Sequence, residues 1–319
     1  MNENRKLNIP VLMGGISNER KVSLKSGKAV AHALREAGHN VTPVDVAERR
    51  VPDMSDLCPD VAFVALHGEF GEDGQIQNML NAKGIPYTGS GPDASRRAMD
   101  KIASKRTFVL NSIPTADYFT LENDEGMVDA RNRARQLGFP LVCKPADGGS
   151  SLGVTIVQSE EELDGAVECA FESGDRLLME QYVRGREFTV GVLDGEPLPM
   201  VEIVPTQEFF DYYAKYEDEE TTYITPVALI ESVYRKALKL GKRVYEALGC
   251  RHFARVDLLY GYDGNLYVLE VNTIPGFTPR SLLPMAAAEA GINFAELCDT
   301  IVRLAVREQA GWRTVRKAG

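Results

Sequence analysis

The stretch Arg255-Val256-Asp257-Leu258-Leu259-Tyr260-Gly261-Tyr262-Asp263-Gly264-Asn265-Leu266-Tyr267-Val268-Leu269-Glu270-Val271-Asn272 decides how this chain is to be read. Two apolar and tyrosine-rich runs flank Asp263-Gly264, a dipeptide that favours a two-residue hairpin turn. That turn fixes a register, with Asp257 opposite Glu270, Arg255 opposite Asn272, Val256 opposite Val271 and Leu258 opposite Leu269. Strand side chains alternate between faces, so one side of the ribbon is wholly apolar and the other carries every polar group. Carboxylates opposed at about 5 Å between Cβ atoms destabilise a sheet unless something neutralises them. A hard cation does this. Asp257, Glu270 and Asn272 offer only oxygen ligands, which suits Mg²⁺ or Mn²⁺ bridged to nucleotide phosphates. The competing reading is a solvated outer face on which Arg255 offsets the carboxylates.

Upstream, Lys144-Pro145-Ala146-Asp147-Gly148-Gly149-Ser150-Ser151-Leu152-Gly153 falls between the strands expected at Pro140 to Lys144 and Val154 to Val157. It resembles a hairpin flap more than a Walker A loop, which runs straight into a helix. Glycines let backbone N–H groups approach phosphate oxygens, Ser150 and Ser151 add hydroxyl donors, and Lys144 adds charge. A flexible turn with solvent-facing serines is the plain alternative. Glu180-Gln181-Tyr182-Val183 and Glu187 stand where a hinge could read a nucleoside. A helix follows Ser159, with Glu162 completing a capping box.

The first part of the chain is an open α/β unit. A strand over Ile9 to Met13 runs into Gly14-Gly15, a helix over about Ser23 to Ala37 follows, and strands fall at Asn40 to Val44 and Val61 to Leu66. The last of these leads into His67-Gly68-Glu69-Phe70-Gly71-Glu72-Asp73-Gly74, and such loops at strand C-termini are where open sheets bind ligands. One helix is expected from about Asp93 to Leu110 and another near Ile230 to Leu248. Three units follow: 1–92, an open parallel-sheet α/β domain; 93–184, a small α+β domain; and 185–319, a domain built on an antiparallel sheet.

Composition narrows the classes. A net charge of −10 with scattered basic residues argues against nucleic-acid binding. No apolar run approaches the roughly 20 residues of a membrane span. Together with the polar start, this predicts a cytoplasmic protein without membrane insertion. The five cysteines form no CxxC pair, and the four histidines show no metal-ligand spacing.

Taken in order, the motifs resemble the D-alanine:D-alanine ligase family of the ATP-grasp superfamily. They are Gly14-Gly15 with Ser17-Asn18-Glu19-Arg20, His67-Gly68, Gly71-Glu72-Asp73-Gly74, Met99-Asp100-Lys101, Lys144-Pro145 and Gly149-Ser150-Ser151-Leu152-Gly153. Asp211-Tyr212, Ala214-Lys215-Tyr216, Arg255-Val256-Asp257, Leu269-Glu270-Val271-Asn272, Pro275-Gly276 and Ser281-Leu282-Leu283-Pro284 complete the set. Lys21, Asp147-Gly148 and Phe210 depart from what relatives often carry.

The resemblance implies an ATP-grasp fold with ATP clamped between the central and C-terminal sheets, a homodimer, and ligation of two D-alanine molecules through a D-alanyl phosphate for peptidoglycan precursor synthesis. It implies that Lys101, Lys144 and Ser151 bind phosphates, that Glu180, Val183 and Glu187 hold adenosine, and that Asp257, Glu270 and Asn272 bind two Mg²⁺ or Mn²⁺ ions. Glu19 would pair with the ammonium of the first D-alanine, with Ser150 and Tyr216 latching a lid over about Thr206 to Thr225. Lys215 would stabilise the transferring phosphoryl group, and Arg255 and the Gly276 N–H the oxyanion. Ser281, Leu282 and His67 would receive the second D-alanine. Each role has a structural alternative: Glu19 at the positive end of the following helix, Ser23 as its cap, His67 satisfied by backbone. The rivals are the same chemistry with D-lactate or D-serine as second substrate, and a nucleotide-binding regulator without catalysis.

Overall fold

In the computed structural model, residues 5–123, 126–149, 153–205 and 221–318 are described, with side chains through 308. Strands β1 (Asn8–Gly14), β2 (Asn40–Val46) and β3 (Phe63–Val64) form a parallel sheet in the order β2-β1-β3, with helix α1 (Arg20–Glu36) between the first two. The strand expected over Val61 to Leu66 pairs with β1 only at Phe63 and Val64. Its outer edge is met by the segment after helix α2 (Gln75–Ala82): Ala62 N–H donates to Pro86 O at 2.7 Å, and Val64 N–H to the Thr88 hydroxyl at 3.0 Å. A threonine side chain thus stands in for a neighbouring strand, and the ladder stops short.

The single helix expected from Asp93 to Leu110 is two helices, α3 (Pro92–Met99) and α4 (Lys101–Leu110). Asp100 breaks it with an extended backbone, φ −81° and ψ 106°, and its carboxylate caps α4 by accepting from Ala103 N at 2.9 Å. An aspartate satisfies first-turn N–H groups better than it serves a helix interior. The break redirects Lys101.

Strands β4 (Tyr118–Glu122), β5 (Leu141–Pro145), β6 (Thr155–Val157) and β7 (Arg176–Gln181) form an antiparallel sheet ordered β4-β7-β5-β6. Helices α5 (Met127–Leu137) and α6 (Glu160–Phe171) cover it, and Leu141, Leu163, Leu177 and Met179 anchor its own core. The capping box expected at Ser159 does not form. Glu162 accepts from Gln158 N at 2.8 Å, but the Ser159 side chain makes no cap bond, its hydroxyl being engaged by Glu161.

The largest sheet holds β8 (Gly185–Leu193), β9 (Glu196–Val204), β10 (Thr222–Ile224), β11 (Phe253–Gly261) and β12 (Leu266–Asn272), ordered β10-β9-β8-β11-β12. Helix α7 (Glu231–Leu248) packs on it so closely that a Cβ at Gly241 would lie 2.7 Å from Val190 Cγ1. Phe108 of α4 joins the core between α7 and the sheet. Helices α8 (Leu282–Glu289) and α9 (Phe294–Ala318) share a second core with β1, α1 and this sheet, through Val11, Leu34, Phe277, Leu283 and Ile301. No helix among the described residues is long and apolar enough to cross a membrane.

The β11–β12 hairpin corrects the expected register and explains why its polar end was right. The turn has three residues, Tyr262-Asp263-Gly264, closed by Gly264 N–H to Gly261 O and Gly261 N–H to Asn265 O, both 2.9 Å. Gly264 takes φ +83°, which a side chain would resist. The pairs nearest the turn are therefore Tyr260 with Leu266, Leu259 with Tyr267 and Leu258 with Val268. A β-bulge beyond Leu258 then absorbs Leu269 and restores Asp257 opposite Glu270, Val256 opposite Val271 and Arg255 opposite Asn272. Leu258 does not face Leu269. Val268 and Val271 enter the core, while Leu269 and Glu270 both line the cleft, a re-aiming that bulges commonly produce.

Candidate functional site

A cleft of about 350 Å³ lies between the central four-stranded sheet and the five-stranded sheet. Lys101, Lys144, Glu180, Val183, Glu187, Asp257 and Glu270 all line it. A smaller polar pocket of about 60 Å³ adjoins it, lined by Glu19, His67, Glu72, Arg255, Asn272 and Gly276. Lys101, Gly149 and Glu270 line both cavities. The hairpin carboxylate therefore stands at the junction.

Lys101 reaches the glycine-rich loop because α4 starts there. Its N–H donates to Ala146 O at 2.9 Å and its Nζ to Gly148 O at 2.6 Å. Lys144 leaves β5 toward Glu180 of the neighbouring β7 and binds its Oε1. Glu180 is 4% exposed. Burial alone would raise its carboxyl, but the Lys105 and Lys144 ammonium groups outweigh that and hold it down at about 2. Lys105, which sequence reasoning passed over as a helix residue, is 1% exposed and has its Nζ 2.6 Å from Glu180 Oε2. Burial pulls its ammonium below the usual lysine range.

A carboxyl held low in the fold stabilises above its ordinary value near 4.5, and that contribution drains away as the pH falls toward about 2. We expect Glu180→Gln to flatten the acid-unfolding curve across this window. The parent should lose on the order of 3 kcal/mol more than the variant there. Equal slopes in urea titrations at several acid pH values would contradict the assignment.

Strand alternation puts Arg255 and Asp257 on the cleft face of β11, with Val256 and Leu258 in the core between them. Arg255 grips Asp257 with a fork, Nε to Oδ1 at 2.8 Å and Nη2 to Oδ2 at 2.7 Å. Asn272 Nδ2 donates to the same Oδ2 at 3.0 Å, which leaves its Oδ1 as the amide's acceptor end. Arg255 does offset the Asp257 carboxylate, as the competing reading held. The face is not a solvated one, however: Asp257 is 4% exposed and looks into a cleft.

In the small pocket Glu19, the residue capping α1, is buried at 7% exposure and makes no cap bond. It faces the glycine-rich loop, since a Cβ on Gly149 would lie 3.5 Å from its Oε2. Ser23 is no cap either: it sits inside α1, donates to Ala65 O at 2.6 Å and accepts from Gly14 N at 2.8 Å. His67 donates from Nδ1 to Ile274 O at 2.9 Å and accepts at Nε2 from the Ser26 hydroxyl at 2.9 Å. Backbone thus satisfies one ring nitrogen, as the structural alternative held, and a buried serine the other, while burial pulls the imidazole below its usual value, so it is neutral. Glu72, quoted in a motif but given no role by sequence, lies beside Glu19. Burial, then the Glu19 charge, push its carboxyl well above the usual range, although Gly68 N–H donates to it at 2.6 Å.

Ser281 accepts from Thr278 N at 3.0 Å, and a Cβ on Gly276 would lie 3.4 Å from its Oγ. The Leu282 side chain is buried in the core shared with the first sheet. Neither Ser281 nor Leu282 is among the residues lining the two cavities. Ser150, Ser151, Lys215, Tyr216 and Phe210, and most of the expected lid, lie outside the described residues.

Residues 109–303 match the family described as D-ala D-ala ligase C-terminus, and residues 52–90 its N-terminus. A D-alanine–D-alanine ligase of Syntrophotalea carbinolica is 44% identical over 92% of this chain and 94% of its own. The crystal structure of a D-alanine–D-alanine ligase from Bacillus anthracis complexed with ATP superposes with a TM-score of 0.81 at 35% identity, covering 96% of this chain and 99% of that one. A D-Ala:D-Ser ligase from Enterococcus faecalis gives 0.83 at 28% identity over 94% of this chain and all of its own. With its matched segments, its overall identity and its fold in agreement, this chain belongs to the D-alanine–D-alanine ligase family.

Proposed function

We propose that this chain joins two D-alanine molecules into D-alanyl-D-alanine, consuming ATP and releasing ADP and phosphate. The observation that carries the reading is the junction of a nucleotide-sized cleft with a small polar pocket, with Lys101, Gly149 and Glu270 common to both. A phosphoryl donor in one and a carboxylate acceptor in the other would meet there.

The donor set fits a divalent cation that shares its ligands with a nucleotide. Asp257, Glu270 and Asn272 present hard oxygens, and no cluster of three His, Cys, Asp or Glu among the described residues makes a self-contained cage. These residues would hold two Mg²⁺ or Mn²⁺ ions, which supply charge neutralisation for phosphoryl transfer. Lys101 and Lys144 bind phosphate oxygens, while Glu180, Val183 and Glu187 hold the nucleoside. Glu19 takes the ammonium of the first D-alanine, whose carboxylate attacks the terminal phosphoryl group. The resulting acyl phosphate is an electrophile that a second D-alanine amine can attack at neutral pH. Arg255 and the Gly276 N–H stabilise the tetrahedral oxyanion. His67, neutral and fixed at both nitrogens, shapes the second amino-acid site beside Ser281 and Leu282. Ser150, Lys215 and Tyr216 keep the latch and phosphoryl roles that the family resemblance implies, and Ser151 its phosphate contact.

Phosphate release from ATP with D-alanine as the sole amino acid tests the reading, with D-serine and D-lactate as parallel acceptors. D-alanine-dependent release with dipeptide formation is expected. ATP binding without release favours a regulator, and turnover that requires D-serine or D-lactate favours the other ligases.

A further inference from the structure

Lys105 is a puzzle for core packing, because a lysine buried to 1% exposure costs stability unless its charge is put to use. It does not line the cleft, and an apolar side chain of similar length would fill its place beside the Tyr118 ring at no desolvation cost. What it touches is informative. On one side its Nζ lies 2.6 Å from Glu180 Oε2, the oxygen that Lys144 leaves unpaired. On the other it donates to the Thr115 hydroxyl, which in turn donates to Val268 O at 2.8 Å. Val268 N–H donates to Pro114 O at 2.9 Å, so both backbone groups of this β12 residue are held by the segment Pro114-Thr115. Val268 immediately precedes the bulge that turns Leu269 and Glu270 into the cleft.

We propose that Lys105 is a positioning residue for the nucleotide: its ammonium, itself anchored through Thr115 to β12, fixes the Glu180 carboxylate from behind. The inference rests on the reading of the cleft as an ATP site. Without Lys105 the Glu180 carboxylate has one cation to turn toward, Lys144, and swings to it. One lining group, the carboxylate that faces the nucleoside, then loses its placement. Amino-acid binding in the neighbouring pocket is untouched.

The test compares Lys105→Met, Glu180→Gln and the double variant by steady-state kinetics, with circular dichroism to establish folding. Lys105→Met is expected to raise KM for ATP about tenfold or more, while kcat and KM for D-alanine change by less than about threefold. A general loss of structure would not produce that split. Because Lys105 acts through Glu180, the double variant should bind ATP no more weakly than Glu180→Gln alone. A folded Lys105→Met with the parent KM for ATP overturns the inference, as does a double variant whose loss is the product of the two single losses. If Lys105→Met does not fold, Glu180→Gln against the double variant, a neutral pair, decides the matter. A double variant that also fails to fold overturns the inference, because Lys105 then serves the fold and not Glu180. Failure of the underlying reading is distinct: the unsubstituted chain would then bind no ATP at all.

Discussion

Asp257→Asn and Glu270→Gln, made separately, will each lower D-alanine-dependent phosphate release by about 10²- to 10³-fold while the protein stays folded. The two carboxylates face each other across β11 and β12, both lining the cleft, with Glu270 at its junction with the small pocket. Each amide keeps the shape and removes one negative charge from the cation site. Several kcal/mol of charge stabilisation on the transferring phosphoryl group depends on that charge, and about 1.4 kcal/mol is a factor of ten in rate. Asparagine at 257 still accepts one bond from Arg255, so the guanidinium is not left wholly unpaired, as it would be beside alanine. Near-parental turnover in either variant would contradict the assignment of these groups.

Glu19→Gln will act differently, on the amino acid and not the nucleotide. A buried ammonium needs a carboxylate to offset its desolvation, and removing one partner of such a pair costs about 3–5 kcal/mol. KM for the first D-alanine should therefore rise at least about 100-fold, with KM for ATP within a small factor of the parent. Initial rates over a grid of both substrates check this. Glu19 already stands 7% exposed beside a second carboxyl, Glu72, whose own pKa is pushed well above the usual range by burial and by the Glu19 charge. A matching rise in both KM values would instead mean that the substitution had disturbed the glycine-rich loop at Gly149.

The parts of the fold legible in the sequence were those written in local periodicity. The β1–α1–β2 unit, the helix ending at Leu248 and the facing of Asp257 and Glu270 all follow from alternation and from turn residues. The hairpin shows the limit of such reasoning. A three-residue turn and a bulge each shift the register by one, and they cancel at the polar end, so the opposition was read correctly through an incorrect turn. The bulge has no local signal in this sequence. Its consequence is that Leu269, expected in the core opposite Leu258, lines the cleft instead.

Residues that act through tertiary pairing were harder to see. Lys105 looks like a solvated helix lysine until β7 brings Glu180 beside it. Glu72 looks like one acidic residue of a polar loop until the fold half-buries it beside Glu19. The break at Asp100 was open to notice, since Asp is a preferred N-cap residue, but a continuous helical pattern concealed it.

The measurement that bears most directly on the account is Mn²⁺ binding by electron paramagnetic resonance, with and without a non-hydrolysable ATP analogue. The account predicts two Mn²⁺ ions held per chain when the analogue is present, weak retention without it, and loss of that binding in Glu270→Gln. Equal Mn²⁺ retention by the parent and Glu270→Gln in the presence of the analogue would contradict it.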